Sequence, residues 1–276
     1  ENLSIIERYQ KAIDAGVDIF SGGADPALLL ETAKKGLVTE ARINESITRL
    51  LREKFELGLF ENPYVDAEAA VKLVGNAEFQ NKADIALRKS IVLLRNDAKL
   101  LPVNAKKKVY FETYYNNGRN PNPITVNKPA LANANIEFVA TKEEADVVLL
   151  WLIPSGGTLF SSQGKPIELS LSKNKIDVAH VNEIINAKPT VVAINFSSPW
   201  VIDEIDKGKT QTILATFGTT QDALLDILSG AFKPTGKLPF SIPVSSQAVL
   251  DNKSDVPGTL EPKGYALYKF GDGISY

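Results

Sequence analysis

Two apolar runs constrain this chain more than any other feature. Val147-Val148-Leu149-Leu150-Trp151-Leu152-Ile153 and Val191-Val192-Ala193-Ile194 are of strand length and carry no charge. A strand with one wet face alternates apolar and polar residues, whereas a continuous run belongs to a strand covered on both faces. A helical stretch, Lys175–Ala187, separates the two runs. Strands also read at Ile91–Leu94, Val109–Tyr114, Ile136–Val139, Thr190–Phe196 and Gln211–Phe217. Helices read at Ala77–Lys89, at a short segment from Pro199 where Ser198 would be the N-cap, and at Gln221–Leu228 before Gly230. This alternation predicts a three-layer α/β/α sandwich with a mostly parallel sheet. Ligands in such a fold bind outside the carboxyl ends of the strands.

The first 60 residues read differently. Gly16–Phe20 is a short apolar run, predicted as a strand, that stops at Ser21-Gly22-Gly23. Asp25 and Pro26 open a helix over Ala27–Lys35, closed by Gly36. Thr39 caps a second helix whose apolar face holds Ile43, Ile47, Leu50, Leu51 and Phe55, with Gly58 after it. One strand and a few helices have nothing to close against. The segment is therefore expected to be the last β/α unit of a TIM-type barrel. The expected division is 1–62 barrel end, 63–88 linker and first helix, and 89–276 sandwich.

Composition removes several chemistries. With 276 residues, 44% hydrophobic and 23% charged, the chain is of globular composition. Lys+Arg 31 against Asp+Glu 33 gives no basic excess to attract nucleic acid. No apolar stretch reaches the ~18 residues that span a bilayer. Cys 0 removes thiolate nucleophiles and ligands, and His 1 leaves little room for a Ser-His-Asp triad. Carboxylates, hydroxyls, amides, Lys and Arg remain, with no metal or other cofactor expected. The chain begins at Glu1 and lacks Met, so residue 1 is not expected to be a translation start.

Four polar loops could carry chemistry: Glu112–Pro123, Pro154–Glu168, Ser197-Ser198-Pro199-Trp200 and Ser21-Gly22-Gly23. Ser155-Gly156-Gly157 lacks the full glycine fingerprint of a phosphate loop. His180, inside its helix, reads as a surface or packed residue rather than a base. Asp222 and Asp226, one helical turn apart, read as a solvated face.

Several motifs together resemble glycoside hydrolase family 3. Ala15–Ile19, Gly36–Ser46 and Arg49–Tyr64 look like the end of that family's catalytic barrel. Ser90–Asn96 with Leu101-Pro102 is similar to the start of its second domain. Phe217-Gly218, Ala223–Gly230 and Pro234-Thr235-Gly236-Lys237-Leu238-Pro239-Phe240 resemble its most recognisable signature, and Phe270–Tyr276 its closing stretch.

The resemblance implies a β-glucosidase-like exo-enzyme that removes terminal β-linked sugars with retention, acting between a barrel and a sandwich. Retention needs two carboxyl groups about 5–5.5 Å apart. The family's nucleophile lies in a Ser-Asp-Trp motif that is absent here, so it would belong to a missing N-terminal barrel. That barrel, in the same polypeptide or a second chain, and a carbohydrate are the implied partners. No membrane or nucleic acid is implied, and periplasmic or secreted localisation is family habit. The family's acid/base is often a Glu in a Ser-Glu-Gly loop, where this chain reads Ser162-Gln163-Gly164-Lys165. An amide cannot deliver a proton as a carboxylic acid does. The role then falls to Glu168, to a group on the barrel, or to a different register through this loop. Ser21, Gly22, Tyr114, Arg119, Ser162 and Gln163 are the expected sugar contacts. The competing reading is a non-catalytic carbohydrate-binding or scaffold subunit.

Overall fold

The computed structural model describes residues 3–21, 26–119, 121–130, 135–156, 168–206, 212–252 and 263–276. The chain forms two compact units, Glu1–Asn76 and Ala77–Tyr276.

The first unit is helical over its described residues. Helix α1 (Ile5–Asp14) starts with a reciprocal capping box between Ser4 and Glu7. Helix α2 spans Pro26–Lys34, α3 spans Glu40–Glu56 behind its Thr39 cap, and α4 spans Ala67–Leu73 behind Asp66. The expected strand at Gly16–Phe20 does not form: residues 17–20 make no ladder. An extended run becomes a strand only with a partner, and the described part of this unit holds no strand to pair with it. Asp18 instead faces α3. Its carboxylate accepts from Ser46 Oγ at 2.6 Å and pairs with Arg49 at 2.9 Å. Those contacts, Ser46 foremost, hold its carboxyl below the ordinary range. The apolar face of α3 stays open: Ile47 and Leu50, with Leu29, Leu30 and Phe20, line a hollow of about 730 Å³.

The second unit is the sandwich. Helix α5 (Ala77–Lys89) leads into β1 (Val92–Asn96), β2 (Lys107–Tyr115), β3 (Ile124–Asn127), β4 (Ile136–Phe138) and β5 (Val147–Ile153). Helix α6 (Val178–Ala187), β6 (Thr190–Asn195), β7 (Thr212–Thr216) and α7 (Gln221–Ser229) follow. The seven-stranded sheet runs β1-β7-β6-β5-β2-β3, with β4 also on β2. The β2–β4, β2–β5, β5–β6 and β6–β7 pairs are parallel, and β1–β7 and β2–β3 are antiparallel. A small antiparallel pair, β8 (Ile242–Pro243) and β9 (Ala266–Tyr268), flanks α8 (Ser246–Asp251).

Two separate cores prove that the sheet is covered on both faces. Val148, Leu150, Leu152, Val192 and Ile194 point to one side and pack with Val181, Ile184 and Ile185 of α6. Val147, Leu149, Val191 and Ala193 point to the other and pack with Ala223, Leu224, Ile227 and Leu228 of α7, and with Leu87 of α5. The continuous apolar runs in β5 and β6 are the direct consequence. Asp226 is not on a purely solvated face, contrary to expectation: it accepts from Arg88 Nε at 2.6 Å, tying α7 to α5. The expected helix from Pro199 is also absent. Ser170 and Val201 form a parallel bridge, and Val201 N donates to Leu169 O at 2.9 Å. That pairing keeps the segment extended, so Ser198 caps nothing.

The chain end locks onto this sandwich. Tyr276 donates from its hydroxyl to Ile227 O at 2.7 Å and to Phe232 O at 3.0 Å. Burial pushes that phenol up to about 12, and burial with the nearby Asp206 carboxylate pushes Tyr268 up to about 12. A raised folded-state value favours the protonated form, so both contributions are whole below the free phenol's range near 10 and are lost as pH climbs toward 12. The expected result is a urea midpoint that falls steeply between pH 10 and 12, with a shallower fall in Tyr276→Phe. An unchanged slope would contradict it. No helix among the described residues is long and apolar enough to cross a membrane.

Candidate functional site

The carboxyl ends of β2, β5, β6 and β7 lie along one edge of the sheet. At the end of β2, Tyr114 pairs in register with Leu152 of β5. Tyr114 is only 5% exposed, and its ring centroid lies 6.1 Å from that of His180 on α6. Burial raises its phenol. Beyond it, two Asx turns shape the exposed loop: Gly118 N donates to Asn116 Oδ1 and Arg119 N to Asn117 Oδ1, each at 2.8 Å. A Cβ on Gly118 would stand 2.8 Å from Lys175 Nζ, so this loop lies beside the 172–177 segment.

The crossover leaving β5 is organised by Asn174, which is buried at 4% exposure. Its Nδ2 donates to Glu168 O at 2.9 Å and to Ser170 O at 2.7 Å. Ser155 N donates back to Asn174 O at 3.0 Å. Glu168 itself is exposed. At the end of β6, Asn195 accepts from Gly218 N at 2.8 Å and, through its carbonyl, from Trp200 Nε1 at 3.0 Å.

Of the expected sugar contacts, Tyr114 and Arg119 lie at this edge, one buried and one exposed. Ser21 is exposed in the first unit. Gly22, Ser162 and Gln163 lie outside the described residues. Among the described residues no group of three His, Cys, Asp or Glu could hold a metal ion.

A titratable cluster went unread in the sequence. Glu112 lies inside β2 rather than in a loop, and is 1% exposed. Its Oε1 is 2.7 Å from His180 Nε2, and its Oε2 accepts from Tyr110 OH at 3.0 Å. His180, half-buried, is therefore a packed residue as expected, and its partner is a buried carboxylate. The signal was available: in β2 the residues Tyr110, Glu112 and Tyr114 share one face, opposite Val109 and Phe111.

Residues 91–276 match the model of the glycosyl hydrolase family 3 C-terminal domain. The chain belongs to glycosyl hydrolase family 3. The whole chain aligns with the probable beta-glucosidase C of Aspergillus oryzae, 37% identical over 281 residues and 41% of that protein. It aligns likewise with the periplasmic beta-glucosidase/beta-xylosidase of Dickeya chrysanthemi, 33% identical over 282 residues and 40% of that protein. The chain thus spans about two fifths of the length of the curated relatives it matches. Among solved structures, the Listeria innocua beta-glucosidase in complex with gluconolactone superposes with a TM-score of 0.64 at 22% identity, covering 98% of this chain and 44% of that one. That likeness speaks to the fold. The family's signature has a local cause in this structure. Gly236 packs against the backbone at the junction of α5 and β1 so closely that a Cβ would lie 2.5 Å from Ile91 O.

Proposed function

We propose that this chain is the C-terminal portion of a retaining exo-β-glycosidase of the β-glucosidase type, acting on terminal β-linked sugars. The observation that carries the reading is the alignment of the entire chain with proteins named beta-glucosidase, over about two fifths of their length. On this reading residues 1–62 are the end of a catalytic barrel, and the nucleophile stands on the part of that barrel preceding residue 1. The open apolar face of α3 supports it, since such a face is what the end of a larger body would present.

The sandwich contributes one wall of the sugar site, from the loops after β2 and β5. Arg119 and the residues around Ser162 and Gln163 bind hydroxyls there, and Glu168 is the general acid/base. The commitments of two buried carboxylates of the sandwich, Glu112 and Asp206, support that choice. Glu112 is held by His180 and Tyr110, and Asp206 is held by Arg95. Carboxylates engaged in this way have their oxygens committed within the protein rather than to a ligand. Export to a periplasm or outside the cell fits the Dickeya relative's name.

Hydrolysis of an aryl β-glucoside tests the reading. The isolated chain should give no turnover above the buffer rate, because a retaining mechanism needs both carboxyl groups. The same chain joined to the coding region upstream of residue 1 should be active. Turnover by the isolated chain would overturn the placement of the nucleophile. Sugar binding without turnover by the longer protein would favour a binding subunit.

A further inference from the structure

Asn174 touches both arms of the crossover between β5 and α6. On the departing arm, Ser155 N donates to its carbonyl at 3.0 Å. Gly156 packs on its side chain so tightly that a Cβ there would stand 2.2 Å from Asn174 Oδ1 and 3.2 Å from Trp200. On the returning arm, both hydrogens of Nδ2 are spent on main-chain carbonyls, those of Glu168 and Ser170. The returning arm is pinned from its other side by the Ser170–Val201 bridge. The residue that carries this amide is itself fixed. Asn174 N donates to Leu171 O at 3.0 Å, Ile176 N donates to the same carbonyl at 3.1 Å, and Lys175 between them is left-handed at φ 64.

A buried amide with two donors aimed at two carbonyls two residues apart fixes those carbonyls in both distance and direction. Glu168 is exposed and lies at one of them. Resting on the glycosidase reading above, we infer that Asn174 is a positioning residue for Glu168: it sets where the proton-donating carboxyl stands at the sugar without touching the sugar itself. An error of about 1 Å in such a group costs on the order of a hundredfold in rate.

The test uses the full enzyme, this chain with the region preceding it. Asn174→Asp keeps the shape and replaces the two donors with an oxygen that repels the carbonyls. Asn174→Ala is the second variant, should the first fold poorly. Each is compared with Glu168→Gln and with the double variant on two substrates. Phenyl β-glucoside needs protonation of its leaving group, and 2,4-dinitrophenyl β-glucoside does not. The expected result is a fall of about 10–100-fold in kcat/KM on the phenyl substrate and under about threefold on the dinitrophenyl one. The ratio between substrates is independent of the fraction folded, so a merely structural role would leave it unmoved. In the double variant the loss should be no larger than in Glu168→Gln alone, because the two residues act as a unit. An unmoved substrate ratio, additive losses, or a normally active Glu168→Gln would each overturn the inference while the glycosidase reading stands. A wild-type enzyme inactive on both substrates would overturn that reading and this inference with it.

Discussion

Gly236→Ala should lower the melting temperature of the sandwich by about 6–12 °C. The reason is backbone, not side chain. A Cβ on Gly236 would stand 2.5 Å from Ile91 O and 2.9 Å from Lys89 O, at the junction of α5 and β1. Neither carbonyl belongs to a flexible group that can swing away. The same strip holds the chain end: Leu238 N donates to Asp272 O, Gly271 N to Leu238 O, and Ile274 N to Leu93 O, all at 2.8–2.9 Å. Lys237 Nζ reaches Gly273 O at 2.6 Å. Opening a gap at Gly236 therefore loosens the lacing of residues 270–274 to β1 as well. Overpacking of this kind costs about 3 kcal/mol. Gly264→Ala is the control. Gly264 sits at φ +88 with nothing within 4 Å of a Cβ, so only the left-handed penalty of about 1–2 kcal/mol applies. Thermal denaturation followed by circular dichroism checks both. A Gly236→Ala midpoint within a degree of wild type would show that the strip yields, and that the signature glycine has no steric cause.

How far the sequence discloses this molecule depends on whether a segment's neighbours are local. The strand Val147–Ile153 and the helix Ala77–Lys89 are legible to the residue, because the apolar run and the helical period each carry their own boundaries. Gly16–Phe20 has the composition of a strand but no ladder, since a strand is a property of a pair. Ser198-Pro199 has the signature of a helix start, yet the Ser170–Val201 bridge across the crossover outweighs it. The candidate site was legible in its loops and not in its supports. Glu168 and Arg119 stand out as polar residues past strand ends. Nothing in the sequence distinguishes Asn174, whose importance lies in touching residues on both arms of a turn. Glu112 was hidden by counting it in the polar loop Glu112–Pro123, although the strand read at Val109–Tyr114 already contains it, and a buried carboxylate then looks like a loop residue.

Removing His180 should cost more than removing Glu112, although the two share one contact. Glu112 is 1% exposed, and its oxygens meet only His180 Nε2 and the Tyr110 hydroxyl in the described hydrogen bonds. Burial and the adjacent carboxylate push the Tyr110 phenol up, so it serves as a donor throughout the physiological range. His180→Ala strands a carboxylate beneath α6 with a single neutral donor, and breaking a buried pair in this way costs about 3–5 kcal/mol. Glu112→Ala instead leaves a partly exposed imidazole and a phenol without its acceptor, a loss of about 1–3 kcal/mol. Glu112→Leu with His180→Leu removes both polar groups and should recover most of the deficit, because an apolar replacement of a buried pair is close to neutral. Lys142 with Glu183, ion-paired at 2.6 Å beside His180, Glu143, and Asp177, which accepts from His180 N at 3.1 Å, supply other nearby charge and stay in place in every variant. Urea denaturation at pH 7 ranks the three. Equal losses in the two single variants would show that water reaches Glu112 and that the pair is not the element joining β2 to α6.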